Sequence, residues 1–448
     1  MIINELACKG PAPKNYWELE DELKISVKYT PEYARLVSFK KNEKMPIHRW
    51  YNFKEGYAAT LVDDMLSEFD AKPNSYVLDP FAGSGTTLLS AQWKGLRAVG
   101  IDIDPFFTFV QQVKLSWFEL DLKEVKNELE KMYSIDEQEA STLNPPELSS
   151  FAGKKRPVFE TQTLKELLVF KEAIANIRNE KVRRLFKLAI ASILEKVSLT
   201  KKDGKGLKFS KNKKTKSVKS AITKKLEEMY YDLLQVSQNR LLKKTYIQAF
   251  TADTRKKDEV QKCLEGQKAN FVMFSPPYLN TFDYTEVYKL ELWFLDFIKT
   301  YAEFKALRAR TLRSHNLWKW ESTKIWENEL LSQIIEGVAQ QDLWTKALPV
   351  MIQGYFDDMF RSLKNLNDVM EENSNCIIVV GNSCYGNIPI PTDLLLSKAA
   401  IDANFDLKEI RVARQLNTSS QQIKQIKADP LRKYLRESII ILKKRAVG

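Results

Sequence analysis

Histidine and cysteine, the residues most often used for metal and thiol chemistry, are scarce in this chain. Among 448 residues there are two histidines, His48 and His315, and four scattered cysteines, Cys8, Cys263, Cys376 and Cys384. No two cysteines form a C-x-x-C pair, so neither a Cys/His metal site nor a disulfide framework is expected, and the usage fits a reducing compartment. No segment approaches the roughly 18 apolar residues of a membrane span. The opening MIINELACKGPAPKNYW lacks the apolar core of a signal peptide. These absences predict a soluble cytoplasmic protein with no metal and no membrane partner. Missing too are the last glycine of a G-x-G-x-x-G loop, because Leu88 stands there, and the lysine of a phosphate-binding P-loop.

What is present points elsewhere. Apolar residues make up 44% and aromatics 11%, enough to bury a large core with more than one domain or a sizeable insertion. The formal charge of +12 makes an anionic partner plausible, nucleic acid first.

Residues 75–112 read as strand, loop, helix, strand: SYVLD, then PFAGSGTT, then LLSAQWKG, then RAVGID. Such a unit within about 30 residues begins a doubly wound sheet. Short β-branched or aromatic runs recur at 245–250, 270–274, 375–381 and 437–442, and helical patterns at 354–372 and 391–405 alternate with them. The fold class expected is α/β with a mostly parallel sheet. Helical periodicity at 164–178, 182–198 and 221–242 interrupts the alternation, so 113–245 reads as a helical insertion between catalytic segments 1–112 and 246–448. The stretch 300–345 is rich in Trp, Arg and Lys and shows no strand pattern.

In VLDPFAGSGTTLLS a strand ends at Asp79 and Gly83 and Gly85 precede a helix. Glycines let backbone approach a ligand, and a helix start offers free N–H groups. Asp102, 19 residues after Gly83, ends the second strand, where an acid can grip a ribose diol. In NFVMFSPPYLN, a buried strand runs into two adjacent prolines. Proline gives no N–H and restricts its predecessor, so Ser275, Pro276, Pro277 and Tyr278 form a stiff, extended exit.

DPFAGSGTT and SPPY together resemble the cofactor and catalytic motifs of S-adenosylmethionine-dependent DNA amino-methyltransferases. The resemblance covers about 45–112 and 246–442 and implies S-adenosylmethionine as cofactor, held by Asp79, Phe81, Gly83, Gly85, Thr86 and Asp102. It further implies Lys54, Gly56 and Tyr57 at the methionine end, Asp253 in AFTADTRK at the adenine, and Asn382 in VVGNS near the target base. In the family a leading Ser is associated with N4 of cytosine, and Asp or Asn with N6 of adenine. The cofactor loop precedes the catalytic corner, which is nearest the family arrangement with the recognition segment between them. The insertion, however, begins one strand earlier than in that scheme.

Methylating an exocyclic amine needs no covalent intermediate. The site must accept the amine's hydrogens, as Ser275 Oγ and the Pro276 carbonyl can, and must align the reacting atoms. Tyr278 would stack on a base turned out of the duplex. Asp283 or Tyr284 could shape the base pocket or simply pack as an amphipathic face. C5 methylation, which needs a Pro-Cys nucleophile, is excluded because no cysteine follows a proline.

Residues 201–225 hold eleven lysines and one acid, and read either as a mobile solvated loop or as a phosphate grip through Lys208, Lys211, Lys213 and Lys214. RARTLRSHNLWKW places Arg310, Arg313 and Asn316 among tryptophans, either as base contacts or as a loop packed by its Trp residues. The expected partners are double-stranded DNA and a cognate restriction endonuclease. The rivals to N4-cytosine methylation are N6-adenine methylation, RNA base methylation and a catalytically silent nucleic-acid-binding subunit.

Overall fold

A computed structural model describes residues 13–23, 27–73, 75–137, 157–203, 206–210, 213–238, 245, 247–315, 321–416 and 430–446. The strands are β1 (Val27–Tyr29), β2 (Tyr76–Asp79), β3 (Arg97–Asp102), β4 (Thr200–Asp203), β5 (Gly206–Phe209), β6 (Ile247–Thr251), β7 (Ala269–Phe274), β8 (Met370–Gly381), β9 (Ser383–Tyr385), β10 (Ile388–Ile390), β11 (Phe405–Gln415) and β12 (Arg436–Lys444). Eight of them form the main sheet in the order β1-β11-β12-β8-β7-β2-β3-β6. From β6 to β8 every neighbour is parallel, whereas β12 runs antiparallel to both β8 and β11.

Alternation along the strands divides the apolar residues between two cores. Val77, Phe271, Met273, Ile377, Val379, Ile439 and Ile441 face one cluster. Leu78, Val272, Phe274, Ile378, Val380, Ile440 and Leu442 face the other. The first core is covered by the helices Ala59–Glu68, Thr86–Trp93 and Pro105–Leu115, and the second by Lys257–Leu264, Leu348–Val369 and Thr392–Asp402. Helices on both faces of a mostly parallel sheet make this the doubly wound α/β fold expected. None of the described helices is long and apolar enough to cross a membrane.

The insertion is not wholly helical. Between the helices Glu180–Val197 and Val218–Gln238 lies the antiparallel hairpin β4–β5, at the start of the lysine-rich stretch read either as a mobile solvated loop or as a phosphate grip. Ser198 and Thr200 are buried and bond to each other, Leu207 is buried, and Lys213 donates to the carbonyls of Glu195 and Thr200. Lysines exposed on one side therefore coexist with a hairpin anchored on the other.

The insertion is also joined tightly to the segment ahead of β2. Asp232 accepts from Ile47 N (3.0 Å), Arg49 Nε (3.1 Å) and Trp50 Nε1 (3.1 Å). Lys202 of the hairpin pairs with buried Glu291, which also accepts from Tyr51 (2.7 Å). The helix Pro105–Leu115 runs across the boundary expected at residue 112.

Candidate active site

The strand ends of β2, β3, β6 and β7 converge on one pocket. It is lined by Phe53 and Glu55, by Phe81 and Gly83, by Asp102 and Asp104, by Asp253 and Arg255, by Ser275 and Pro277, by Tyr284, and by Arg310, Thr311, Leu312, Ser314 and His315 of the strap 310–315. The predicted cofactor loop and the predicted catalytic corner thus share a cavity, although they lie some 190 residues apart (275 − 83).

The loop after β2 is shaped by its backbone. Gly83 (φ 48°) and Gly85 (φ 81°) occupy the left-handed region, where a side chain costs about 1–2 kcal/mol. A Cβ on Gly83 would stand 2.7 Å from the Phe53 ring. Gly83 N donates to Asp102 (2.9 Å), while the carbonyls of Gly83 and Ser84 accept from Gln111 (2.8 Å) and Lys114 (3.1 Å). Leu88 replaces the third glycine of the motif without loosening the packing. Gly100 on β3 makes the room instead: a Cβ there would lie 2.4 Å from Leu88.

Acids concentrate at this loop, and burial pushes each of them up. Asp79 rises to about 7, even though it accepts from Thr87 (2.6 Å), Phe81 N (3.1 Å) and Tyr57 (3.2 Å). Asp102 rises to about 6 while holding the amides of Gly83 and Asp104. Asp104 rises to about 8, through burial and then through the charge of Asp102. One oxygen of Asp104 caps the helix Pro105–Leu115 by accepting from Phe106 N (2.9 Å); the other is buried without a partner. An unpaired carboxyl oxygen, a glycine cradle and the carboxyls of Asp102 and Asp104 at one cavity suit a polar ligand carrying hydroxyl and amine groups.

Several expected residues sit differently. Asp253 lines the pocket, but Arg255 holds both its oxygens (2.9 and 2.7 Å). Burial alone would raise its carboxyl; the Arg255 guanidinium brings it below the ordinary carboxylate range. Tyr57 and Asp79 bond to each other and line a smaller adjoining cavity with Thr86 and Ser275. Lys54 faces a separate cleft against the insertion. Asn382 is buried, with its amide shared between Asp393 (2.8 Å) and the Tyr434 carbonyl (2.7 Å), so it pins β8 to its neighbours and is not turned to the pocket. Pro276 is buried behind the corner. Tyr278 does not line the pocket; its hydroxyl donates to Glu437 (2.7 Å).

The expected nucleic-acid contacts also divide. Arg310 lines the pocket. Arg313 is buried and forms a two-pronged pair with Asp358 (3.1 and 2.7 Å), against Gly354, where any Cβ would collide with the guanidinium. It therefore braces the strap and is not presented to a base. Lys213 is held by hairpin carbonyls, and Lys208 and Lys214 are exposed. Lys211 and Asn316 lie outside the described residues. Among the described residues no group of three or more His, Cys, Asp or Glu could hold a metal ion.

Phe53, Glu55, Asp104 and the strap residues other than Arg310 and Arg313 escaped the sequence reading. The second acid of GIDID and the acid between Lys54 and Gly56 were visible signals for two of them. Nothing local marks the strap as a pocket wall. It is brought there by Thr281 N donating to Ser314 O (3.1 Å) and by Arg255 reaching the Arg310 carbonyl.

A family model described as DNA methylase matches residues 8–111. The chain is 27% identical to Type II methyltransferase M.BsoBI of Geobacillus stearothermophilus, over 90% of this chain and 88% of that one. It is 26% identical to Type II methyltransferase M.AvaI of Nostoc sp., over 92% and 89%, and 23% identical to Type II methyltransferase M.MvaI of Kocuria varians, over 84% and 85%.

Proposed function

Since the chain belongs to the DNA amino-methyltransferase family, with S-adenosylmethionine as its methyl donor, we propose that it is a site-specific Type II DNA methyltransferase acting on N4 of cytosine in a base turned out of the duplex. The observation that carries this reading is the shared pocket. Ser275 and Pro277 of the corner face the same cavity as Gly83, Asp102 and Asp104. In this reading Gly83, Asp102, Asp104 and Glu55 hold the cofactor. Bound there, S-adenosylmethionine supplies an electrophilic methyl group on a positively charged sulfur.

The chain's own contribution is positioning. Ser275 Oγ and the Pro276 carbonyl accept the two hydrogens of the target amine, which turns the nitrogen lone pair out of conjugation with the ring. Two prolines keep these acceptors from drifting, so alignment is prepared before the base arrives. Tyr278, half-buried and next in the chain to Pro277 of the pocket wall, is the ring that stacks on the base, and the phosphates meet the exposed lysines at and after the hairpin, Lys208 and Lys214 among them. Double-stranded DNA is the substrate, and a cognate restriction endonuclease is the functional partner. The helical insertion 113–245 with its hairpin is the recognition segment, and 1–112 with 246–448 the catalytic domain.

Incubating the protein with labelled cofactor and unmethylated duplex DNA, followed by digestion to nucleosides, tests the reading. N4-methylcytosine is expected. N6-methyladenine as the sole product would overturn the cytosine assignment, and absence of transfer would overturn the enzyme assignment.

A further inference from the structure

Tyr278 is gripped from strands far away in sequence. Its hydroxyl donates to Glu437 Oε1 at 2.7 Å, and the other oxygen of that carboxylate accepts from Arg414 Nε. Glu437 is 3% exposed, while the Arg414 side chain remains 39% exposed. In the sheet ladder Glu437 pairs with Gly381 on one side and with Arg414 on the other. A Cβ on Gly381 would lie 2.8 Å from two carbons of the Tyr278 ring. One row across β8, β12 and β11 therefore provides bare backbone for the ring, a carboxylate for its hydroxyl and a guanidinium for that carboxylate.

A buried carboxylate is costly unless it is paired and hydrogen-bonded. The fold could avoid the expense with an apolar residue at 437 and a phenylalanine at 278. The row has a purpose if the ring must stay in one orientation. Two rotatable bonds would otherwise let it turn, and ordering it only on encounter would weaken binding.

We propose that Glu437, oriented by Arg414, is a positioning residue that holds Tyr278 ready to stack on the target base, with Gly381 leaving room for the ring. This rests on the stacking role given to Tyr278 above. Glu437 touches neither cofactor nor base.

The test compares single-turnover methylation of unmethylated duplex DNA by the wild type, Tyr278→Phe, Glu437→Leu, Glu437→Gln and the Tyr278→Phe/Glu437→Leu double variant. Tyr278→Phe and Glu437→Leu should each slow transfer on the order of tenfold, the scale of a lost hydrogen bond to a charged group. The double variant should be no slower than the slower single, because both remove the same bond. Glu437→Gln keeps an acceptor, and partly exposed Arg414 can turn to solvent, so it should stay within about threefold of the wild type. Affinity for S-adenosylhomocysteine, measured by calorimetry, should be unchanged throughout. Tyr278→Phe deletes a single oxygen and keeps the test valid even if Glu437→Leu folds poorly. Wild-type rates for Tyr278→Phe and Glu437→Leu, or a double variant slowed by the product of the single effects, would overturn the proposal. A wild type that transfers no methyl to DNA would overturn the stacking role itself, and the row's purpose with it.

Discussion

The two strand ends that meet at the pocket are held by different means. The turn after β2 is built mainly from residues within about 35 positions of it: two glycines in left-handed conformations, a helix start, an acid one strand away, and Gln111 and Lys114 on its carbonyls. The corner after β7 depends on distant ones. Glu437 and Gly381 fix its tyrosine, and Thr281, just beyond it, is fastened to Ser314 of a strap that Arg313 and Asp358 brace. A site that must bring a donor and a base together thus combines a turn held by its near neighbours in sequence with a corner held by distant parts of the fold. Damage to the first should act on cofactor binding. Damage to the supports of the second should act on stability or on transfer.

The largest effect should come from Arg313→Ala. It strips buried Asp358 of its two-pronged partner and leaves it Arg255 (3.1 Å), a loss of about 3 kcal/mol in stability. If Arg313 gripped DNA, the same change would leave the thermal midpoint alone and weaken DNA binding in a salt-dependent way, and a denaturant melt beside a binding titration separates the two outcomes. Gly83→Ala should be milder. A Cβ at a left-handed residue, 2.7 Å from Phe53, costs about 1–2 kcal/mol. Cofactor affinity by calorimetry should fall by about tenfold, with the fold retained. Equal loss of affinity from Tyr278→Phe would erase the distinction between the two strand ends.

The smallest effect sharpens the acid-lined side of the comparison through pH. Asp104 has a folded value near 8 against an ordinary 3.8. A raised value means that the folded state holds the proton longer. The stability it lends is therefore fully present below about pH 4 and lost as pH rises through 8. In cofactor-free protein, the difference in melting temperature between the wild type and Asp104→Asn should change in that sense between pH 6 and 9. A difference independent of pH would mean that the two carboxylates do not share a buried environment.

How much of this could be read in advance follows the same division. The unit from Tyr76 to Asp102 and the strand ending at Phe274 were legible because their signals are local: apolar runs, glycines before a helix and paired prolines. The hairpin β4–β5 was masked by its lysines, since charge reports the exposed side and the buried partners Ser198, Thr200 and Leu207 look ordinary. β11, FDLKEIRVARQ, carries charges on a strand whose partners lie at both ends of the chain. Arg313 resembled a base contact because nothing near it in sequence announces Asp358, 45 residues on. Long-range satisfaction of polar groups decides such residues, and it has no local pattern.

The central claim is that a stiff corner presents Ser275 to a base amine beside a cofactor held by other residues of the same pocket. The most direct test measures wild type and Ser275→Ala side by side, titrating S-adenosylhomocysteine by calorimetry and quantifying methylated nucleosides from duplex DNA. The account predicts equal cofactor affinity, N4-methylcytosine from the wild type, and transfer reduced at least about a hundredfold in the variant. Undiminished methylation by Ser275→Ala would contradict it.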